Sequence, residues 1–215
     1  MEFIVESETY YANRVFCIGR NYIKHAEELN NEIPASPVVF LKPAGSLLTT
    51  GEKILFPSHG RELHHEAEIV ILLGREGKPT NSEEARTFIA GVSLGLDLTL
   101  RDVQAHLKQK SLPWEKAKAF EKSAPVGNFH GYSDPFDLEN IEFSCHVNNN
   151  LKQKGNSKNM IYSIPKLIIE LAKIWHLKPG DLIFTGTPSG VGPLFRKDTI
   201  SLSSPYIGTF SWEIE

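Results

Sequence analysis

Cysteine is scarce in this sequence. Of 215 residues only Cys17 and Cys145 carry thiols, and a chain with two cysteines so far apart is not a disulfide-stapled secreted scaffold. Each sits among strand-like apolar residues with no base beside it, so both are expected to pack rather than react. Long apolar runs are missing too. No stretch approaches the roughly 20 residues needed to span a bilayer, and Met1-Glu2-Phe3-Ile4-Val5-Glu6-Ser7-Glu8 lacks the basic and apolar regions of a secretory signal. The expectation is a cytoplasmic protein with no membrane partner. Positive charge is not in excess either: 23 Lys and Arg stand against 26 Asp and Glu, a net charge of -3, which leaves no basic field to recruit nucleic acid. The lysines between positions 108 and 122 are interrupted by Trp114, Glu115 and Glu121 and read as a solvated face, Lys118 excepted. Repeats and low-complexity segments are absent.

Two familiar ligand signatures are also absent. The glycine-rich run Thr185-Gly186-Thr187-Pro188-Ser189-Gly190-Val191-Gly192 lacks the Gly-Lys-Ser/Thr ending of a phosphate loop, and no helix-forming stretch follows it. His64 and His65 stand beside acids, but the His-Glu-x-x-His helix spacing of a zinc site is missing. These two are expected to support a site at most.

What is present is material for a core. Hydrophobic residues make up 40% of the chain, and its length suits one domain over residues 1–215. Strand signals cover Arg14 to Ile18, Val38 to Leu41, Glu66 to Leu73, Gly91 to Asp97, Ile141 to Val147, Asp181 to Thr185, Thr199 to Leu202 and Ile207 to Ile214. Helix signals cover Asn21 to Leu29, with Asn21 as cap, then Ser82 to Ile89, Thr99 to Lys108 and Ser163 to Trp175. The fold class is α+β, strand-rich and mostly antiparallel.

Against this background three carboxylates stand out. In the run His64-His65-Glu66-Ala67-Glu68-Ile69-Val70 a two-residue step along a strand advances roughly 6.6 Å and returns to the same face, so Glu66 and Glu68 can converge on one ion. Asp97 ends a second apolar run and can complete an all-oxygen set suited to magnesium or manganese. Without a cation, burying such charges costs several kcal/mol each. On spacing alone a solvated or salt-bridged face is the commoner reading of such a pair. His25 and Glu28 lie at i and i+3 on one helical face, where a carboxylate can orient an imidazole as a general base, or where the two can form a simple surface pair. Arg101 and Gln104 fall on adjacent turns just after Asp97, and Lys118 has apolar neighbours.

Six segments in order resemble the fumarylacetoacetate hydrolase family, in particular its short acylpyruvase and oxaloacetate decarboxylase-like members. They are Cys17-Ile18-Gly19-Arg20-Asn21-Tyr22, Phe40-Leu41-Lys42-Pro43, His64-His65-Glu66-Ala67-Glu68, Asp97-Leu98-Thr99-Leu100-Arg101-Asp102-Val103-Gln104, Lys118, and Thr185 to Gly192. The resemblance implies a β-sandwich roll around a metal site, with Mg2+ or Mn2+ on Glu66, Glu68 and Asp97. It also implies a catalytic His25 and Glu28 dyad with Lys118, and substrate contacts from Arg20, Arg101, Gln104 and Thr187. Three positions depart from the family pattern: Asn149 replaces a usual glycine, Ser157 a usual threonine, and Lys197-Asp198 a usual Gly-Asp turn.

The implied chemistry is metal-dependent cleavage of a carbon-carbon bond in a small 2-oxo acid, as acylpyruvate hydrolase or oxaloacetate decarboxylase. The ion stabilises the charge that develops as pyruvate enolate leaves. Isomerisation or decarboxylation of dicarboxylic dienoates is the alternative within the family, and a catalytically silent metal-binding scaffold is the alternative outside it. The short family members pair through their sheets, so a homodimer is expected, with modest support from the aromatic strand Tyr206 to Trp212.

Overall fold

The computed structural model describes residues 1–23, 34–133 and 136–215. Its centre is the strand Ala67–Leu73, buried along its whole length. Alternation explains why both faces are apolar. Ala67, Ile69, Ile71 and Leu73 enter the larger core with Phe16 and Ile18, whereas Val70 and Leu72 enter a second core with Val15, Cys17, Leu182 and Phe184. Glu68 has the parity of Val70 and therefore meets the second core at its end.

Six strands form the main sheet, in the order His130–Gly131, Ile89–Leu96, Ala67–Leu73, Leu182–Phe184, Val15–Gly19 and Val38–Lys42. All neighbours are antiparallel except Leu182–Phe184 beside Val15–Gly19. A four-stranded antiparallel sheet runs Asn150–Asn156, Glu142–Val147, Thr199–Ser204 and Gly208–Glu213. Its inward residues Phe143, Cys145, Ile200, Leu202 and Trp212 join the larger core. A three-stranded sheet of Gly192–Pro193, Leu63–His65 and Thr99–Leu100 closes one end. The expected strand-rich α+β fold is present, and no helix among the described residues is long and apolar enough to cross a membrane.

Several expected boundaries move, for local reasons. The strand begins at Ala67 rather than Glu66, which sits in the break after Leu63–His65. The helix expected from Thr99 starts at Arg101, because Thr99–Leu100 pairs with Leu63–His65. The helix expected to reach Ile89 stops at Arg86, and Ile89 opens the strand Ile89–Leu96. Asn21 accepts from the Tyr162 amide at 2.8 Å and donates to the Thr185 and Tyr162 carbonyls, so its amide ties segments together rather than capping. Most of the helix expected over Asn21 to Leu29 lies outside the described residues, as do His25 and Glu28.

Both thiols are buried, and burial pushes Cys145 up to about 12 and Cys17 well above its usual range. Asn148 and Asn149 adopt φ of 50° and 63°, the left-handed turn that asparagine tolerates in place of glycine. Lys197 adopts φ 71° where the family pattern has glycine, a conformation with a modest strain cost for a lysine.

Candidate active site

Glu66, Glu68 and Asp97 are all buried, and one carboxylate oxygen from each lies within 4.8 Å of the others. Sheet pairing explains the convergence. Ala67 is opposite Leu96 and Glu68 opposite Gly95, and the Asp97 amide donates to the Glu66 carbonyl at 2.9 Å, so the chain end that carries Asp97 is clamped beside both glutamates.

Cations surround this cluster. Lys118 Nζ donates to Glu66 Oε2 at 2.8 Å and to Asp97 Oδ2 at 2.6 Å. Arg101 Nη2 donates to Glu66 Oε1 at 2.6 Å, while its Nη1 donates to Gln104 Oε1 at 2.7 Å. Lys42, at the buried end of its strand, lies 2.9 Å from Asp97 Oδ1. Its ammonium donates to Leu98, Lys118 and Ser123 carbonyls and to Ser123 Oγ, an acceptor cage that holds the charge in place. Burial opposes the Lys118 charge, but Asp97 and Glu66 outweigh it and hold the amine well above its usual range.

Glu68 fits this donor set to a hard divalent ion. Asp97 Oδ1 has the Lys42 ammonium beside it, whereas Glu68 accepts a single hydrogen bond among the described residues, from the Gly186 amide at 2.8 Å. Burial, followed by the Asp97 and Glu66 charges, pushes its carboxyl well up, so ionisation at this position calls for a compensating cation. The Gly186 amide reaches Glu68 from a loop with φ 99°, where an added Cβ would lie 2.7 Å from Asn21 Cβ. Only glycine fits that approach.

The cleft above the acids is lined by Arg20, Phe40, Arg101, Gln104, Lys108, Trp114, Lys118 and Thr187, among others. Thus the structure gathers Glu66, Glu68, Asp97, Lys118, Arg20, Arg101, Gln104 and Thr187 around one space. Thr187 is already engaged: its hydroxyl donates to the Ala67 carbonyl at 2.8 Å and accepts from Gln153 Nε2 at 2.8 Å.

Sequence reasoning assigned no role to Lys42, Gln153 or Trp114. Lys42 stands in the segment Phe40-Leu41-Lys42-Pro43 that carries the resemblance, as a lysine before a proline at a strand end with no chemistry attached to it. Gln153 lies in the strand Asn150–Asn156, between two lysines, with nothing to distinguish it. Its Oε1 nevertheless takes the Ala67 amide at 3.0 Å and faces His65 Nδ1 at 2.9 Å, so one buried amide braces both the histidine and the threonine against the acid-bearing strand. His65 thus touches a support of the site through Gln153, whereas His64 Nδ1 is buried with no hydrogen-bond partner among the described residues.

The family model for the C-terminal domain of fumarylacetoacetate (FAA) hydrolase matches residues 14–214. The mitochondrial oxaloacetate decarboxylase of Dictyostelium discoideum is 43% identical over 182 residues, covering 84% of each protein. The mitochondrial oxaloacetate tautomerase of Bos taurus is 38% identical over 205 residues, 95% of this chain and 93% of the relative. Fumarylpyruvate hydrolase from Pseudomonas aeruginosa, solved in complex with Mn2+ and pyruvate, superposes with a TM-score of 0.93 at 31% identity, covering 100% of this chain and 95% of that one.

Proposed function

Since the chain belongs to the fumarylacetoacetate hydrolase family, we propose that it acts on a small 2-oxo acid at the bond or proton next to the ketone, using a divalent cation held by Glu66, Glu68 and Asp97. The observation that carries this reading is the buried acid triad, whose carboxylate oxygens converge, with a Glu68 carboxyl that needs a counter-charge. Mg2+ or Mn2+ on these oxygens would supply Lewis acidity, stabilising negative charge on the 2-oxo oxygen. The manganese and pyruvate in the Pseudomonas neighbour support both halves of the proposal.

The side chains divide the remaining work. An ammonium has three donors; Lys118 gives one to Glu66 and one to Asp97, leaving one for a developing oxyanion. Gln104 accepts from Arg101 through its oxygen, and its NH2, which has no partner among the described residues, donates to a substrate oxygen. Arg101 keeps Glu66 and Gln104 in register. Arg20 lines the cleft without an ion pair among the described residues, and it takes the substrate's C1 carboxylate. Phe40 and Trp114 pack edge to face, with centroids 5.9 Å apart, and form the apolar wall that limits water.

Hydrolysis of an acylpyruvate, decarboxylation of oxaloacetate and its keto-enol exchange all pass through charge on the same oxygen. Only hydrolysis needs an activated water, and His25 with Glu28 is the proposed base. His25→Ala is therefore expected to lose about 10²-fold or more in acylpyruvate hydrolysis and much less in decarboxylation. Equal losses would assign His25 to substrate positioning instead. The broader test is a screen of EDTA-stripped protein, with and without added Mg2+ or Mn2+, against acetylpyruvate, oxaloacetate and a dienoate. Metal-dependent turnover of a 2-oxo acid is expected. No turnover of any of them would leave a metal-binding scaffold as the better description.

A further inference from the structure

We propose that Lys108 is a specificity-determining residue that receives a second, distal carboxylate of the substrate, so that the cleft favours 2-oxo dicarboxylates over 2-oxo monocarboxylates of equal length. This inference rests on the reading of the site as a 2-oxo acid site and adds which end groups it selects.

The helix Arg101–Gln109 presents Arg101, Gln104 and Lys108 at i, i+3 and i+7, one face of a helix, and all three line the cleft. The first two are occupied: Arg101 is bound to Glu66 and Gln104, and Gln104 to Arg101. Lys108 is not. Among the described residues it has neither a hydrogen-bond acceptor nor a carboxylate partner; its contact is the Trp114 ring, with Nζ 5.4 Å from the centroid. That ring packs on Phe40, and Lys118 Nζ lies 5.2 Å from the Phe40 centroid. The aromatic wall thus carries a cation at each end. The inner cation is neutralised by Glu66 and Asp97, and the outer one is not.

Electrostatics point the same way. Partial burial, followed by the charges of Arg20, Arg101 and Lys118, depresses the Lys108 amine, so this ammonium sits in a cationic neighbourhood. Arg20, too, lines the cleft without an ion pair among the described residues, and it is held at φ 60°, an unusual conformation for a non-glycine residue that is often found at functional sites. With the inner lysine and Arg101 matched to the acids, Arg20 and Lys108 are the two lining cations without a carboxylate partner among the described residues. A monocarboxylate satisfies one of them, and a dicarboxylate satisfies both. Holding Lys108 against Trp114 also lowers the entropy lost when it meets an anion.

Calorimetry on the Mg2+-loaded protein with 2-oxoglutarate and 2-oxopentanoate isolates the effect, because these five-carbon 2-oxo acids differ only in the distal carboxylate. The unmodified protein is expected to bind 2-oxoglutarate about tenfold more tightly or better. Lys108→Met, which keeps the apolar stem over Trp114, should lose that preference while its affinity for 2-oxopentanoate stays within about twofold, and Lys108→Arg should retain much of the preference. Equal affinity of the two ligands for the unmodified protein, or a preference that survives in Lys108→Met, would overturn the assignment of Lys108 and leave the 2-oxo acid reading standing. Failure of both ligands to bind the unmodified protein would overturn the underlying reading, and this inference with it.

Discussion

Glu68 concentrates the tension of the site in one side chain. Its carboxyl is raised mainly by burial and then by Asp97 and Glu66, so in the metal-free protein the folded state holds this proton to higher pH than the unfolded chain does. Stability is then lost as pH rises through that window, and a divalent cation restores it. Glu68→Gln removes the ionisation and is expected to raise the melting temperature in EDTA at neutral pH by at least about 2 °C while abolishing the upward shift produced by Mg2+. A variant that melts like the parent in both conditions would contradict this account. His64 shows the opposite sign. Burial, aided by Arg101 and His65, lowers its pKa to about 4 from 6.5, so the unfolded chain takes up this proton first as pH falls. The half-buried ring therefore contributes stability above pH 6.5 that is lost between 6.5 and about 4. With allowance for solvent screening the effect is about 1 kcal/mol, and His64→Gln should flatten that part of the stability curve.

At the scale of elements, the acid triad works because strands bring sequence-distant groups together, and the sequence disclosed this unevenly. The run Ile69-Val70-Ile71-Leu72-Leu73 is β-branched and apolar throughout, which marks a doubly buried strand, and the segment from Ile164 shows its apolar helical face plainly. Glu66, Glu68 and Asp97 were legible because three acids at the ends of apolar runs need a partner. Gln153 was not, since its importance comes from the strand Asn150–Asn156 reaching across to Ala67 and Thr187, and nothing local marks that approach. The start of the helix at Arg101 was misplaced for the same reason: Thr99–Leu100 is drawn into pairing by Leu63–His65, a long-range contact that overrides local helix signals. The loop supporting Glu68 is the least forgiving element. Gly186→Ala introduces a Cβ at positive φ against Asn21, and it is expected to cost about 1–3 kcal/mol and to weaken metal affinity through the displaced amide. Urea denaturation with and without Mg2+ measures both, and a variant as stable as the parent would show that the loop can relax.

For the whole molecule, the acid-lined cleft opens between the strands Val15–Gly19 and Val38–Lys42 of the main sheet and the helix Arg101–Gln109, and Gly208–Glu213 is left as an edge strand of the four-stranded sheet, with Tyr206 exposed beside it. Pairing of two copies is the proposed oligomeric state, and sedimentation at micromolar concentration is expected to give a dimer mass; a monomer would count against it. The family resemblance runs from about Cys17 to Gly192, so the fold is legible in the sequence. The paired states of Lys118, Arg101 and Thr187 are not, because they depend on angles and distances that only the folded cleft sets. The central claim is that Glu66, Glu68 and Asp97 form one divalent-cation site. Its most direct test is titration of EDTA-stripped protein with Mn2+, following the free ion by electron paramagnetic resonance, for the parent and for Asp97→Asn. The account predicts one tightly bound ion per chain in the parent and an affinity reduced by about tenfold or more in the variant. An undiminished affinity in Asp97→Asn, or no bound Mn2+ in the parent, would contradict it.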